Sequence, residues 1–248
     1  MADDSAVITL GQDGVVSKWT RNNQNHWQWA KLLEAGKEES VCFTYKRDRL
    51  AVAFPRFGVK VWLWINGTWQ PQRSILRQNV TCIKFVEDGD ALLGGTSDGV
   101  LWYCQVLNGT LRAYAFFKAK IQGLDVSPDG AQVLVSQVDG RAHLVGIQGM
   151  DCKGKIGQVY ATNAGSVGEA RQISPAVFVN GGRCVVFHSV ESCCLVWNKA
   201  KGEILSGLDH GDNDKAHAVA GFDRASHSYI VTGTAQGLLS WWSSPPDQ

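Results

Sequence analysis

Six times along this chain an apolar run, a short polar turn and a second apolar run follow one another. The segments are VITLGQDGVVSKW from Val7, LAVAFPRFGVKVW from Leu50, ALLGGTSDGVLWY from Ala91, QVLVSQVDGRAHL from Gln132, CVVFHSVESCCLVW from Cys184 and YIVTGTAQGLLSWW from Tyr229. Their turn positions, Gly14, Gly58, Gly99, Gly140, Ser192 and Gly237, are separated by 44, 41, 41, 52 and 45 residues. A strand-built repeat of this period points to β-propeller blades. One such unit cannot bury its apolar faces alone and must stack on its neighbours.

The flanks supply the remaining strands. An inner strand precedes each pair (VCFTYK, TCIKFVEDG, IQGLDVSPDG, PAVFVNGG, HAVAGFDRA) and an outer one follows it (HWQWAKLL, TWQPQRSIL, TLRAYAFF, GQVYAT, GEILSGL). With 27 glycines against 6 prolines and ten tryptophans, short strands and tight turns fit better than helices. The fold class expected is all-β, with about twenty-two strands in six four-stranded blades. The first blade lacks its inner strand and the last its outer strand. One propeller domain is predicted over residues 1–244, with a short tail at 245–248. Met1 to Ser5 are too few to supply a closing outer strand at about 3.3 Å per residue. The sequence therefore predicts either a piece of a larger, seven-bladed propeller or a partner that contributes the absent strands; the fragment is favoured, and the chain alone is then expected to be marginal or to self-associate through open blade edges.

The triplet Asn-Gly-Thr stands at Asn66–Thr68 and again at Asn108–Thr110, each time where a third strand turns into the outer one. Asn-Gly between apolar runs is a type I′ hairpin signal, which explains both without a sugar. The first residues lack a basic and then apolar leader pattern, and no apolar run is long enough for a bilayer. Seven cysteines, two of them adjacent at Cys193–Cys194, form no even framework and no Cys-x-x-Cys pair. Reduced, buried thiols in a cytoplasmic or nuclear protein are the expectation, with no membrane association. A net charge of +1 without a charge block argues against nucleic acid as the main partner.

At these residues the sequence resembles the WD-repeat family. IQGLDVSPDGAQVLVSQVDGRAHLV, Ile121 to Val145, is similar to the family's repeat body, and Trp19, Trp62, Trp197 and Trp242 hold the place of its strand-ending tryptophan. The resemblance runs from Ala6 to about Trp242. It departs in detail: no Gly-His dipeptide opens a repeat, no Trp is followed by Asp, and the turn Asp stands only at Asp13, Asp98 and Asp139. The family's Asp-His-Ser-Trp hydrogen-bond network is accordingly expected in few blades, with inter-blade packing carrying more of the stability. The resemblance implies a scaffold that binds other proteins.

Two motifs resemble chemistry. Gly95–Thr96–Ser97–Asp98–Gly99 matches a nucleophile elbow, but a strand follows where the elbow needs a helix, and the frame recurs at Gly233–Gly237 with Ala235 in place of the serine. DHGDNDKAH, Asp209 to His217, gathers three aspartates and two histidines without the turn glycine and distal acid of a calcium loop, and reads as a solvated connection. The sequence therefore predicts no enzyme, no metal and no cofactor. Lys46–Arg49 reads as a charged hairpin end, Asn163–Ser174 as an unusually long connection, and Trp27 and Trp29 as inter-blade packing on one strand face.

Partner contact is expected on the face formed by the turns inside the middle strand pair and by the outer-to-inner connections. Arg56, Phe57, Arg77, Lys118, Lys120 and Arg171 are the candidate residues there, with Gln12, Ser97, Asp98, Glu191, Asp212 and Gln236 around them. Basic side chains from adjacent blades with one aromatic suit an acidic or phosphorylated peptide. The leading expectation is a non-catalytic protein-interaction scaffold. The alternatives are a phosphate-reading or RNA-binding module on the same patch and, less favoured, a propeller hydrolase using the His-rich connection.

Overall fold

A computed structural model describes residues 6–149, 153–161, 175–188, 193–211, 216–224 and 227–243 of the chain. Among them are twenty-two strands and one three-residue 3-10 turn, Glu87–Gly89, so the all-β expectation holds. No helix among the described residues is long and apolar enough to cross a membrane.

The strands form six antiparallel sheets in chain order. The first holds β1 (Ala6–Leu10), β2 (Val15–Arg21) and β3 (Trp27–Glu34), and the second β4 (Cys42–Lys46), β5 (Arg49–Phe54), β6 (Gly58–Ile65) and β7 (Thr68–Pro71). The third holds β8 (Val80–Val86), β9 (Ala91–Thr96), β10 (Val100–Gln105) and β11 (Leu111–Phe116), and the fourth β12 (Ile121–Val126), β13 (Gln132–Gln137), β14 (Arg141–Gly146) and β15 (Lys155–Ala161). The fifth holds β16 (Val177–Val179), β17 (Cys184–His188), β18 (Cys194–Asn198) and β19 (Ile204–Leu208), and the sixth β20 (Ala216–Arg224), β21 (His227–Thr234) and β22 (Leu239–Ser243). Each sheet is a meander in which consecutive strands pair, the strand order of a propeller blade. The first and sixth have three described strands, at the two places where the repeat lacks one.

By density of contacts the chain falls into two compact units, Met1–Leu93 with Cys104–Leu111, and Gly94–Tyr103 with Arg112–Gln248. In the first unit, Val16 of β2 packs with Leu50, Val52, Phe54 and Trp62 of the second sheet. These are alternate residues of strands whose other face also packs, so β5 reads as a nearly unbroken apolar run. Strand β4 lies against β8, where the buried Thr44 Oγ1 accepts the backbone N–H of Phe85 at 3.4 Å.

In the second unit, Leu134, Leu144 and Tyr160 of the fourth sheet meet Phe178, Val185, Phe187 and Trp197 of the fifth. The phenol of Tyr160 donates to the carbonyl of Lys199 at 2.8 Å, and its ring meets Trp197 edge-on at 5.9 Å. Side chains on the two innermost strands of a sheet satisfy backbone donors at neighbouring sheets. Asp125 accepts from Phe178 N at 2.9 Å and Ser136 Oγ from Ala176 N at 2.7 Å. Asp223 accepts from Asn180 N at 3.1 Å and Gly181 N at 2.8 Å. The N–H groups of the buried Phe178 and Ala176 would otherwise lose their water partners without replacement.

The first Asn-Gly-Thr triplet is the expected hairpin: Asn66 and Gly67 have φ of 50° and 79°, and Ile65 pairs with Thr68 across them. The second occupies the same place but a longer turn. There β10 ends at Gln105, and only Gly109 has positive φ, at 67°. The Gly109 N–H donates back to Gln105 O at 2.9 Å, while Asn108 Oδ1 accepts from Thr110 N at 2.9 Å. Earlier strand termination leaves more chain to turn, so one positive-φ residue suffices.

Six described cysteines are free, and Cys82, Cys104 and Cys194 are buried. Burial pushes the Cys104 thiol up to about 11. Burial, with a smaller repulsion from Cys193, pushes Cys194 up to about 12, and burial alone pushes Tyr160 up to about 12. In the unfolded chain the thiols ionise near 9. Above that pH the unfolded state sheds protons the folded state keeps, so stability should fall as pH rises from 9 towards 12. Urea midpoints that fall over this window are expected, while a midpoint flat to pH 11 would contradict the burial of these groups. Cys104 and Cys194 should also resist a thiol reagent at pH 8 until the chain is denatured.

Candidate partner-binding surface

Turns and connections meet through a device that recurs in both units. In the first unit the turn between β5 and β6 ends at Gly58, whose φ is +88°. A Cβ there would overlap the carbonyl oxygen of Ile75 and stand 3.0 Å from Arg77 N. Only glycine fits, on both counts. Beyond β7 the chain returns past this turn and pairs with it: Val59 N donates to Ile75 O at 2.9 Å and Ile75 N to Val59 O at 2.8 Å. Asn79 N then donates to Pro55 O at 2.7 Å.

These bonds hold the turn Arg56–Phe57 beside the connection Leu76–Arg77. Ile75 points inward and is 4% exposed, so period-two alternation sends Leu76 outward, to 85% exposure. Phe57 is 52% exposed. Arg56 is exposed and makes no hydrogen bond or ion pair with a described residue, while Arg77 is half-buried. The result is two apolar side chains and two guanidinium groups on a backbone pinned by three hydrogen bonds.

In the second unit Gly99, φ +80°, would carry a Cβ into the carbonyl of Phe117, and Phe117 N donates to Gly99 O at 2.8 Å. The buried Gln137 donates to Ala119 O at 3.0 Å, and Val138 N to Lys120 O at 3.1 Å. Lys118 and Lys120 are exposed on this connection, next to the exposed Phe116. Of the six candidate residues, Arg56, Phe57 and Arg77 are brought together in the first unit, and Lys118 and Lys120 in the second. Arg171 lies outside the described residues, as do Asn163–Ser174, Glu191, Ser192 and Asp212–Asp214. Leu76 escaped the sequence reading. Its signal was the apolar pair Ile75–Leu76 in an extended connection, where only one of the two can face inward.

The turn at Gly14 uses the same backbone closure but differs in chemistry. Ala35 N donates to Gly14 O at 2.9 Å, Ser40 Oγ to Gly11 O at 2.9 Å and Gln12 Nε2 to Glu39 at 2.7 Å. Its polar groups are spent on one another.

Other motifs resolve into structure. Ser97 lies in the turn between β9 and β10, where the hydroxyl of Thr96 donates to Val100 O at 3.0 Å and accepts from Val100 N at 2.9 Å. Thr234 accepts from Leu238 N at 3.3 Å in the matching turn of the sixth sheet. Lys46–Arg49 spans the β4–β5 hairpin, with Arg47 as its positive-φ residue at 56°. Arg47 pairs with Asp88 at 3.2 Å and Arg49 with Asp90 at 2.6 Å. In the His-rich connection, His210 Nε2 lies 2.6 Å from Thr232 Oγ1, which also accepts the indole N–H of Trp242 at 2.9 Å. His210 is thus engaged within the blade, and Trp19 makes a matching bond to Thr9 Oγ1 at 2.9 Å. Among the described residues no three His, Cys, Asp or Glu side chains come together. Trp27 and Trp29 share a strand face as expected, but both are exposed rather than packed between sheets.

No protein-family model matches the chain.

Proposed function

We propose that this protein is a non-catalytic, intracellular platform for protein or peptide partners, built as a divergent WD-repeat propeller. The Trp242–Thr232–His210 and Trp19–Thr9 hydrogen bonds support that family reading, because in each a Thr hydroxyl takes the part of the Ser in the family's internal network. The observation that carries the function is the cluster of Phe57 and Leu76, 52% and 85% exposed, between Arg56 and Arg77. Exposed apolar groups on a backbone already pinned lose little further entropy on binding. Arginine forks add directed contacts to carboxylate or phosphate. The ligand that fits is an acidic or phosphorylated segment carrying an apolar side chain. Lys118 and Lys120 offer a second basic turn of the same construction.

Fluorescence anisotropy with a panel of acidic, phosphorylated and neutral peptides tests this. The paired change Arg56→Ala and Arg77→Ala should weaken acidic peptide binding at least about tenfold, since tenfold is only 1.4 kcal/mol. Arg56→Ala alone should leave melting unchanged, because Arg56 is exposed. Equal affinity in the paired variant would remove the site. Tight binding of an RNA oligomer that collapses between low and physiological salt would favour the phosphate-reading alternative.

A further inference from the structure

The bridge between Val59 and Ile75 is the one place among the described residues where a connection pairs with a strand as a further strand would. Ile75 spends both its N–H and its C=O on Val59, at 2.8 and 2.9 Å. In an extended chain the backbone groups of successive residues point to opposite edges, so those of Ser74 and Leu76 point away from β6. Neither residue makes a backbone hydrogen bond to a described residue, and both are exposed. Open to water, these groups cost the free protein nothing. They are nonetheless the donors and acceptors of an open sheet edge.

The matching connection of the third sheet has no such edge. There Phe117 N donates to Gly99 O without forming a bridge, and the carbonyls of Ala119 and Lys120 are taken by Gln137 and Val138. At Ile75 the edge is short, because Arg77 N donates to Ile75 O at 3.0 Å and turns the chain after Leu76. It is also marked by charge. Arg73 precedes it, Arg77 follows it, and the exposed turn Arg56–Phe57 is held beside it by the bond from Asn79 N to Pro55 O. Two copies of this edge would set guanidinium against guanidinium, whereas an acidic strand meets an arginine at either end.

We propose that an acidic or phosphorylated segment of a partner protein binds here as an added β-strand, its backbone hydrogen-bonded to Ser74 and Leu76. The inference rests on the reading of Arg56, Phe57, Leu76 and Arg77 as a peptide site and adds the conformation in which the peptide lies. Main-chain bonds then supply affinity that is indifferent to side chains. The guanidinium groups and the apolar pair Phe57 and Leu76 select among extended segments.

The probe is the tightest-binding acidic or phosphorylated peptide of the anisotropy panel, remade as a series with one backbone N–H methylated at a time. An added strand turns alternate N–H groups to the protein and the rest to water. Methylation should therefore weaken binding at least about threefold at alternate residues only, the loss that goes with one hydrogen bond. Ser74→Pro removes a donor of the edge from the protein side and should weaken the unmethylated peptide by a similar factor. Proline is accepted where a strand's N–H faces water, so melting should hold. Where it does not, the methylated series decides, since it leaves the protein unaltered. A flat or non-alternating series would overturn the proposal, as would unchanged affinity in a folded Ser74→Pro variant. If the paired Arg56→Ala and Arg77→Ala change still weakens binding while the series is flat, the peptide site stands and only its strand conformation falls. If no peptide of the panel binds, both fall together. Concentration-dependent association of the chain alone that Ser74→Pro abolishes would make the occupant a second copy and overturn the partner segment named here.

Discussion

Gly99→Ala should lower folding stability by about 3 kcal/mol, adding roughly 1–2 kcal/mol for a left-handed non-glycine residue to the 1–3 kcal/mol typical of overpacking. The overlap is with backbone, the Phe117 carbonyl, which cannot rotate away as a side chain would. Moving that carbonyl would also disturb the bond from Phe117 N to Gly99 O. Gly67→Ala is the control. Its φ is +79°, yet nothing lies within 4 Å of where its Cβ would stand, so only the conformational term applies, about 1 kcal/mol. Urea denaturation of both variants separates the terms. Equal losses would show that the connection is not pressed on the turn, and the same doubt would then extend to Gly58 and the cluster it positions.

Thr232→Val should cost about 2–3 kcal/mol, because it strips one oxygen from two ring nitrogens while conserving shape. Thr232 is fully buried, and its oxygen accepts the indole N–H of Trp242 at 2.9 Å and lies 2.6 Å from Nε2 of His210. Without Thr232 both ring nitrogens would lose this partner. The exposed Thr9→Val, which removes one bond to Trp19 at a site open to water, should cost only about 0.5 kcal/mol. Chemical denaturation monitored by tryptophan fluorescence reads both, and a Thr232→Val loss as small as that of Thr9→Val would mean the network is not closed in solution.

The strand grammar was legible because it is local. Asn66–Gly67 can hardly avoid a tight hairpin, and an apolar run between polar turns has few ways to hide its side chains. The spacing of Gly14, Gly58 and Gly99 marked the blades, and the structure adds why those positions are glycine: each turn is pressed against the carbonyl of a returning connection. That reason was hidden, since Gly58 and Ile75 are far apart in sequence and no periodicity joins them. The turn at Asn108 was misjudged in length because strand termination at Gln105 depends on pairing with β11, not on the dipeptide itself.

The candidate surface was half legible. Arg56 and Phe57 were found because a turn inside the middle strand pair must be exposed. Arg77 was found because connections lie at the same end of a blade. Leu76 was not, because its outward aim depends on the Val59–Ile75 bridge, a pairing outside the regular strands. His210 shows the converse: its acidic neighbours suggested a solvated or metal-holding loop, while its ring reaches into the blade to Thr232.

By itself the sequence determined the class of structure: strands, their order within each blade and the turns that separate them. Those features follow from short-range sterics and from alternation of apolar residues, which act over a few positions. Which faces are covered was decided only by the tertiary structure. The sequence reads Trp62 as the repeat's strand-ending tryptophan and Trp29 as inter-blade packing on an outer strand, yet Trp62 is buried and Trp29 lies open. The difference is whether another sheet lies against the residue, and burial of this kind is a property of neighbours distant in the chain.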